Sequence, residues 1–121
     1  EVLGLIEAFR AAYEQRNVDR LMGLFGAAPR DRQVAGRQAV EALYTRNFAA
    51  LIGIRYELSQ LELNGGGAGG GVVVEGRYRI RATRSGFLAE RLDLTGPIRW
   101  VLGREPGGLR ILEIDYEMPP R

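Results

Sequence analysis

Cysteine, histidine and lysine do not occur in this chain, and each absence closes a class of chemistry. Without cysteine there are no disulfides and no thiolate nucleophile. Without histidine the commonest general base, the commonest zinc ligand and every Ser-His triad are excluded. Without lysine there is no Schiff-base amine and no Walker lysine. No apolar run approaches the roughly 18 residues of a membrane span, and no signal peptide opens the sequence. A cytoplasmic location with no membrane partner is therefore expected, as are no metal and no cofactor.

What is present is a chain of 121 residues, 26% charged, with all 17 basic side chains supplied by arginine. The formal charge is only +2 although the pI is about 9.4, because arginines hold their protons far above neutrality. A high pI of that origin is a weak sign of nucleic acid. The length suits one domain that buries about two-thirds of its unfolded surface. Beginning at Glu1 and ending Met118-Pro119-Pro120-Arg121, the chain reads as a single domain, 1–121, excised from a longer bacterial protein.

Periodicity divides it into helices followed by strands. Val2, Leu5, Ile6, Phe9 and Tyr13 fall on one stripe and predict a helix from Val2 to about Gln15. Asn17 stands as an N-cap before a short helix with Leu21, Met22, Leu24 and Phe25 inward and Gly26 at its end. Residues 27–35 carry Pro29 and no sustained period, so an irregular connection is expected. A third helix, from about Arg37 to Leu51, turns Val40, Leu43, Tyr44, Phe48 and Leu51 inward, with Gly53 as its stop.

From Ile54 the period becomes two. Ile54, Tyr56 and Leu58 oppose Leu61 and Leu63 in phase, so a bulge at Ser59 and Gln60 is needed to keep both sets inside. The glycine-rich stretch 64–71 runs into Val72-Val73-Val74, a strand and not a helix, and so reads as a hairpin and not a phosphate loop. A turn at Arg84-Ser85-Gly86 would set Ile80 opposite Glu90 and Tyr78 opposite Leu92. A five-residue loop from Arg104 to Gly108 would set Trp100 opposite Leu112 and Ile98 opposite Ile114. Gly96-Pro97 predicts a bulge that curls the sheet.

Even-numbered positions then make an apolar floor, and Glu75, Arg77, Arg79, Arg81, Arg91, Asp93, Arg99, Glu113 and Asp115 an ionic outer face. The arginines are offset by these acids and lack interleaved aromatics, which argues against nucleic acid. Val101, Leu109 and Ile111 form an apolar corner on that face, suited to a homodimer through the sheet.

The polar cap Asn17-Val18-Asp19-Arg20-Leu21-Met22-Gly23-Leu24-Phe25, the following Gly36-Arg37-Gln38-Ala39-Val40-Glu41-Ala42-Leu43-Tyr44, and a final strand over 109–116 resemble the nuclear transport factor 2-like superfamily, including its SnoaL-like branch. The resemblance covers nearly the whole chain. It implies a cystatin-like α+β cone, with three N-terminal helices packed on a curved antiparallel sheet, a pocket at the wide end and dimerisation through the sheet. Relatives act as isomerases, dehydratases, cyclases or hydrolases, or as binding and assembly modules, so the fold does not choose a function.

In the ketosteroid isomerase pattern, a tyrosine on the first helix and a protonated late-strand aspartate hold the oxyanion while another aspartate moves the proton. Phe9 and Ile98 fall near the first two positions and cannot donate. Asp31 is the only carboxylate left for the third, and Arg30 and Arg32 close beside it would depress its pKa. The reading is therefore a non-catalytic domain that binds a small apolar or amphipathic ligand or mediates dimerisation. Phe9, Tyr13, Phe25, Tyr44, Phe48, Tyr78 and Trp100 are its candidate ligand-binding residues. The alternative is a SnoaL-like isomerase, cyclase or hydrolase using Glu90 or Asp31 with Tyr44. Glu90 lies in the apolar phase but is expected to bend out to water or meet an arginine.

Overall fold

In the computed structural model, which describes residues 1–32, 34–67 and 71–117, the helical stripes become α1 (Val2–Glu14), α2 (Val18–Met22) and α3 (Arg37–Ala50). Asn17 caps α2 as expected, its side chain accepting a 3.0 Å hydrogen bond from the Arg20 amide. Ile6, Phe9 and Tyr13 of α1 and Val40, Tyr44 and Phe48 of α3 are buried.

The residues between α2 and α3 are not an irregular connection. They form strands β1 (Phe25–Asp31) and β2 (Val34–Ala35). β1 pairs antiparallel with β2 and parallel with β6 (Gly108–Tyr116). The ladder is anchored at its two ends, where the Ile111 amide donates to Leu24 O at 2.8 Å and the Arg32 amide to Ile114 O at 2.9 Å. Its register shifts between Phe25 and Arg30, across Pro29, which has no N–H to give. The small residues Gly26, Ala27 and Ala28 hide this strand, because pairing to β6 and not apolar alternation holds it.

With β3 (Leu51–Gly67), β4 (Gly71–Arg84) and β5 (Arg91–Glu105), the six strands form one mixed sheet in the order β2-β1-β6-β5-β4-β3. The antiparallel expectation holds for β3 to β6 and fails for the β1–β6 pair. Gly53 lies inside β3 at φ 62, where the register shifts between Ile52 and Arg55, and does not end the helix. The predicted second bulge is present: the register shifts between Ser59 and Glu62, with Gln60 at φ 55. It returns Leu61 to the inner side, but Leu63 remains 47% exposed. Gly67 pairs with Gly71, so the glycine-rich stretch is strand as far as Gly67. Residues 68–70 lie outside the described residues.

Two registers differ from expectation. Ile80 faces Leu94 and Tyr78 faces Gly96, because β4 and β5 are joined by six residues, 85–90, and not by a three-residue turn. The β4–β5 ladder runs unbroken past Gly96-Pro97, where no bulge forms. Trp100 faces Ile114 and Ile98 faces Tyr116. A tight turn pairs Glu105 with Gly108, and Leu112 is the extra residue of a bulge opposite Val101 and Leu102. That bulge reverses the phase of β6, so Leu109 and Ile111 are buried in the core and do not form an outer corner. Both slips are by an even number of residues where Tyr78, Ile98 and Trp100 are concerned, and all three are buried on the inner face as predicted.

The outer face is ionic as read, with Arg79 bound to Asp93 at 2.8 Å and Arg81 to Glu57. At the free edge of the sheet, Glu14 of α1 accepts from the Tyr56 amide at 2.9 Å. Ser85 closes α3, its amide and hydroxyl each donating at 2.8 Å to Ala50 O and Ala49 O. Among the described residues no helix is long and apolar enough to cross a membrane.

Candidate functional site

Phe9 is the hub of the interior. Its ring meets Tyr13, Phe25, Tyr44, Tyr56 and Trp100 at centroid distances of 5.9–6.5 Å, mostly edge to face, the arrangement that ring quadrupoles favour. Phe48 joins through Tyr13 at 5.0 Å and Tyr44 at 6.0 Å. Six of the seven predicted ligand-binding residues therefore share one aromatic cluster. Tyr78 stands apart from these ring contacts, its ring 6.1 Å from Tyr116 and its hydroxyl donating to Glu117 O at 2.6 Å.

At the border of this cluster lies Asp31, with 0% of its surface exposed. Alternation along β1 turns it inward and turns Arg30 out. The Tyr44 hydroxyl donates to Asp31 Oδ2, while Asp31 Oδ1 is buried with no hydrogen-bond partner among the described residues. Arg37, the first residue of α3, fixes the approach of β1: its guanidinium donates to Met22 O at 2.7 Å, Gly26 O at 3.0 Å and Phe25 O at 3.3 Å.

Burial pushes the Asp31 carboxyl above its ordinary value, because the charged form loses its water. The Tyr44 hydrogen bond, the nearby Tyr116 hydroxyl and, less strongly, Arg32 pull the other way without cancelling it, and Asp115 adds to the rise. The expectation that Arg30 and Arg32 hold this pKa down is thus overturned, since both arginines sit on the surface while the carboxyl is inside. The phenols of Tyr44 and Tyr116 are pushed up by burial first and by the Asp31 charge second, and Tyr13 likewise. They remain donors across the ordinary pH range.

A second buried orphan lies on the same row of the sheet. Trp100 is fully buried and its Nε1 has no partner among the described residues. Asp31 pairs with Ile114, which pairs with Trp100. The two residues thus stand two strand spacings, roughly 10 Å, apart on the inner face of the sheet.

Glu90 is not part of this constellation. It is exposed in the loop between β4 and β5, its nearest cation Arg84 at 3.8 Å. Tyr116 and Tyr56 belong to the site; the sequence reading turns Tyr56 inward but favours it as core, and does not single out Tyr116. Both lie in the inward phase of their strands, which is the available signal, but only the parallel β1–β6 pairing brings Tyr116 to Asp31. Among the described residues no acidic cluster is placed to hold a metal. A separate groove of about 580 Å³ runs between α1 and β3, lined by Leu3, Ile6, Arg10, Tyr56, Leu58 and Leu61. Of the aromatic cluster, Tyr56 is the member that lines it.

No protein-family model and no curated protein sequence matches the chain. Solved structures do. A proposed aromatic ring hydroxylase from Novosphingobium aromaticivorans superposes with a TM-score of 0.86 at 12% identity, over 99% of this chain and 87% of that one. A nuclear transport factor 2-like superfamily protein from Salmonella enterica serovar Typhimurium gives 0.85 at 16% identity, over 99% and 89%. The chain has the nuclear transport factor 2-like fold. A proposed dehydratase of the nuclear transport factor 2-like family from Streptomyces avermitilis gives 0.83 at 15% identity, over 99% and 95%. Identities this low establish the nuclear transport factor 2-like architecture and leave the chemistry to the residues.

Proposed function

We propose that this domain binds a small amphipathic ligand at the concave face of its sheet, with the Asp31 and Tyr44 pair as the polar anchor and the aromatic cluster as the apolar wall. The observation that supports this most is the orphaned Oδ1 of Asp31. A buried polar atom without a partner costs about 1–3 kcal/mol, so a group that can pair with it gains that much on binding. Trp100 Nε1 offers a second such atom. A ligand with a carbonyl or hydroxyl oxygen would satisfy both kinds of group, since a neutral carboxyl donates or accepts and an indole donates. Trp100 is the only tryptophan, so its fluorescence reports occupancy directly. Titration with simple aromatic ketones and phenols is expected to change that signal saturably in the native protein and weakly in Asp31→Asn and Tyr44→Phe. Equal responses from all three proteins would remove the reading.

Proton transfer by the same pair is the second reading, favoured by the raised pKa of Asp31. A carboxyl moved up toward the working pH is a better general base or acid than one left at its ordinary value. Deuterium uptake α to a bound ketone, lost in Asp31→Asn, would favour catalysis over binding alone.

For the partner, we propose a homodimer through the outer sheet face. Leu109 and Ile111 cannot contribute. Val73, Val101 and Leu112, half-buried on that face, are the apolar patch instead, with Glu75, Arg99 and Glu113 as its charged neighbours in the ladder.

A further inference from the structure

The approach to Asp31 carries a feature that the anchor itself does not explain. Tyr116 is only half-buried, and its hydroxyl reaches the Asp31 carboxyl closely enough to favour the ionised form. Its ring is thus partly open to solvent while the carboxyl is not. Arg32, the residue after Asp31, stands over that ring with its guanidinium carbon 5.2 Å from the centroid. Its backbone is held in the left-handed region at φ 53, and its amide is tied to Ile114 O at 2.9 Å. The side chain is exposed and has no carboxylate partner among the described residues. A guanidinium laid on a ring face is oriented by the ring and leaves its N–H edge free for a planar acceptor.

We propose that Arg32 recognises the carboxylate of the ligand, so that the molecule bound here is a small organic acid. Its apolar body passes Tyr116 toward the aromatic cluster, its charged end stays at Arg32 and its inner end meets Asp31 and Tyr44. This rests on the ligand-binding reading above and adds the substrate class to it. A single carboxylate suits the site better than a phosphate. One oriented guanidinium matches the two oxygens of a single carboxylate, and a phosphate's further charge would have no second cation to meet among the described residues.

Two probes of the same shape, each with a phenol hydroxyl for the inner end, decide it: 3-(4-hydroxyphenyl)propanoate and the neutral 3-(4-hydroxyphenyl)propanamide, each titrated against Trp100 fluorescence at low salt. The native protein is expected to prefer the carboxylate by about fivefold, the scale of one partly exposed ion pair. Arg32→Gln is expected to erase that preference, while Arg30→Gln, two residues away and facing out, keeps it. A preference that survives Arg32→Gln, or equal binding of both probes by the native protein, overturns the assignment of Arg32. In that case amide binding weakened by Asp31→Asn shows that the anchor stands without it. If neither probe binds any of these proteins, both the anchor and the Arg32 inference fall. Melting temperatures of the variants separate loss of binding from loss of folding.

Discussion

The Asp31 carboxyl has traded water for the Tyr44 phenol with the Tyr116 hydroxyl nearby, and the sign of that exchange is measurable. Because its pKa rises on folding, the folded chain binds the proton more tightly than the unfolded one. The contribution to stability is therefore greatest below the ordinary value near 3.8 and declines as pH rises toward the raised folded value. Asp31→Asn keeps an acceptor for Tyr44 and cannot ionise. Urea unfolding at several pH values should show the variant gaining on the native protein from about pH 4 upward, by about 1.4 kcal/mol for every tenfold by which folding tightens proton binding, with a plateau once Asp31 is ionised in both states. Parallel curves would mean that the carboxyl titrates normally. Tyr44→Phe should act in the opposite sense. It removes the partner of Oδ2, destabilises by about 1–3 kcal/mol, and extends the declining window to higher pH because the hydrogen bond that most favoured the charge is gone.

Strands respond to glycine replacement according to what stands over them. A Cβ at Gly76 would lie 2.9 Å from Ser59 O and 2.6 Å from Leu61 Cδ2, pressed against the bulge of β3. At Gly103 it would meet only the side chain of Leu112, whose Cδ1 is 2.6 Å away and free to turn. Gly76→Ala is therefore expected to cost about 1–3 kcal/mol and Gly103→Ala clearly less, as read by thermal unfolding; the reverse order would contradict the β3–β4 register. The legibility of the elements follows a similar division. Helices with a full apolar stripe, such as α1, can be bounded to within a residue from spacing alone. β1 cannot, because Gly26, Ala27, Ala28 and Pro29 give no alternation and the strand exists by pairing with β6, at the far end of the sequence.

For the assembled protein, the outer sheet face is the surface to test. Light scattering after size exclusion should give the mass of a dimer for the native chain and of a monomer for Val101→Glu, with unchanged circular dichroism. A native mass already monomeric would remove the proposed interface. The ionic character of the outer face is readable from odd-numbered charges on three strands, because alternation survives a register slip of two or four residues. The apolar corner fails for the converse reason. The one-residue bulge at Leu112 exchanges the faces of β6, and nothing in the local sequence announces it.

The sequence by itself determined the α+β class, the inner and outer faces of the long strands, and the absence of histidine, cysteine and lysine chemistry. These depend on residue type and on spacing along one segment. Only the tertiary structure decided that Asp31 is buried beside Tyr44 and Tyr116, that Arg32 lies over Tyr116, and that Glu90 is left in water. Burial and partnership are set by which distant segment a strand pairs with, and a carboxylate between two arginines in sequence can face away from both once its strand alternates inward.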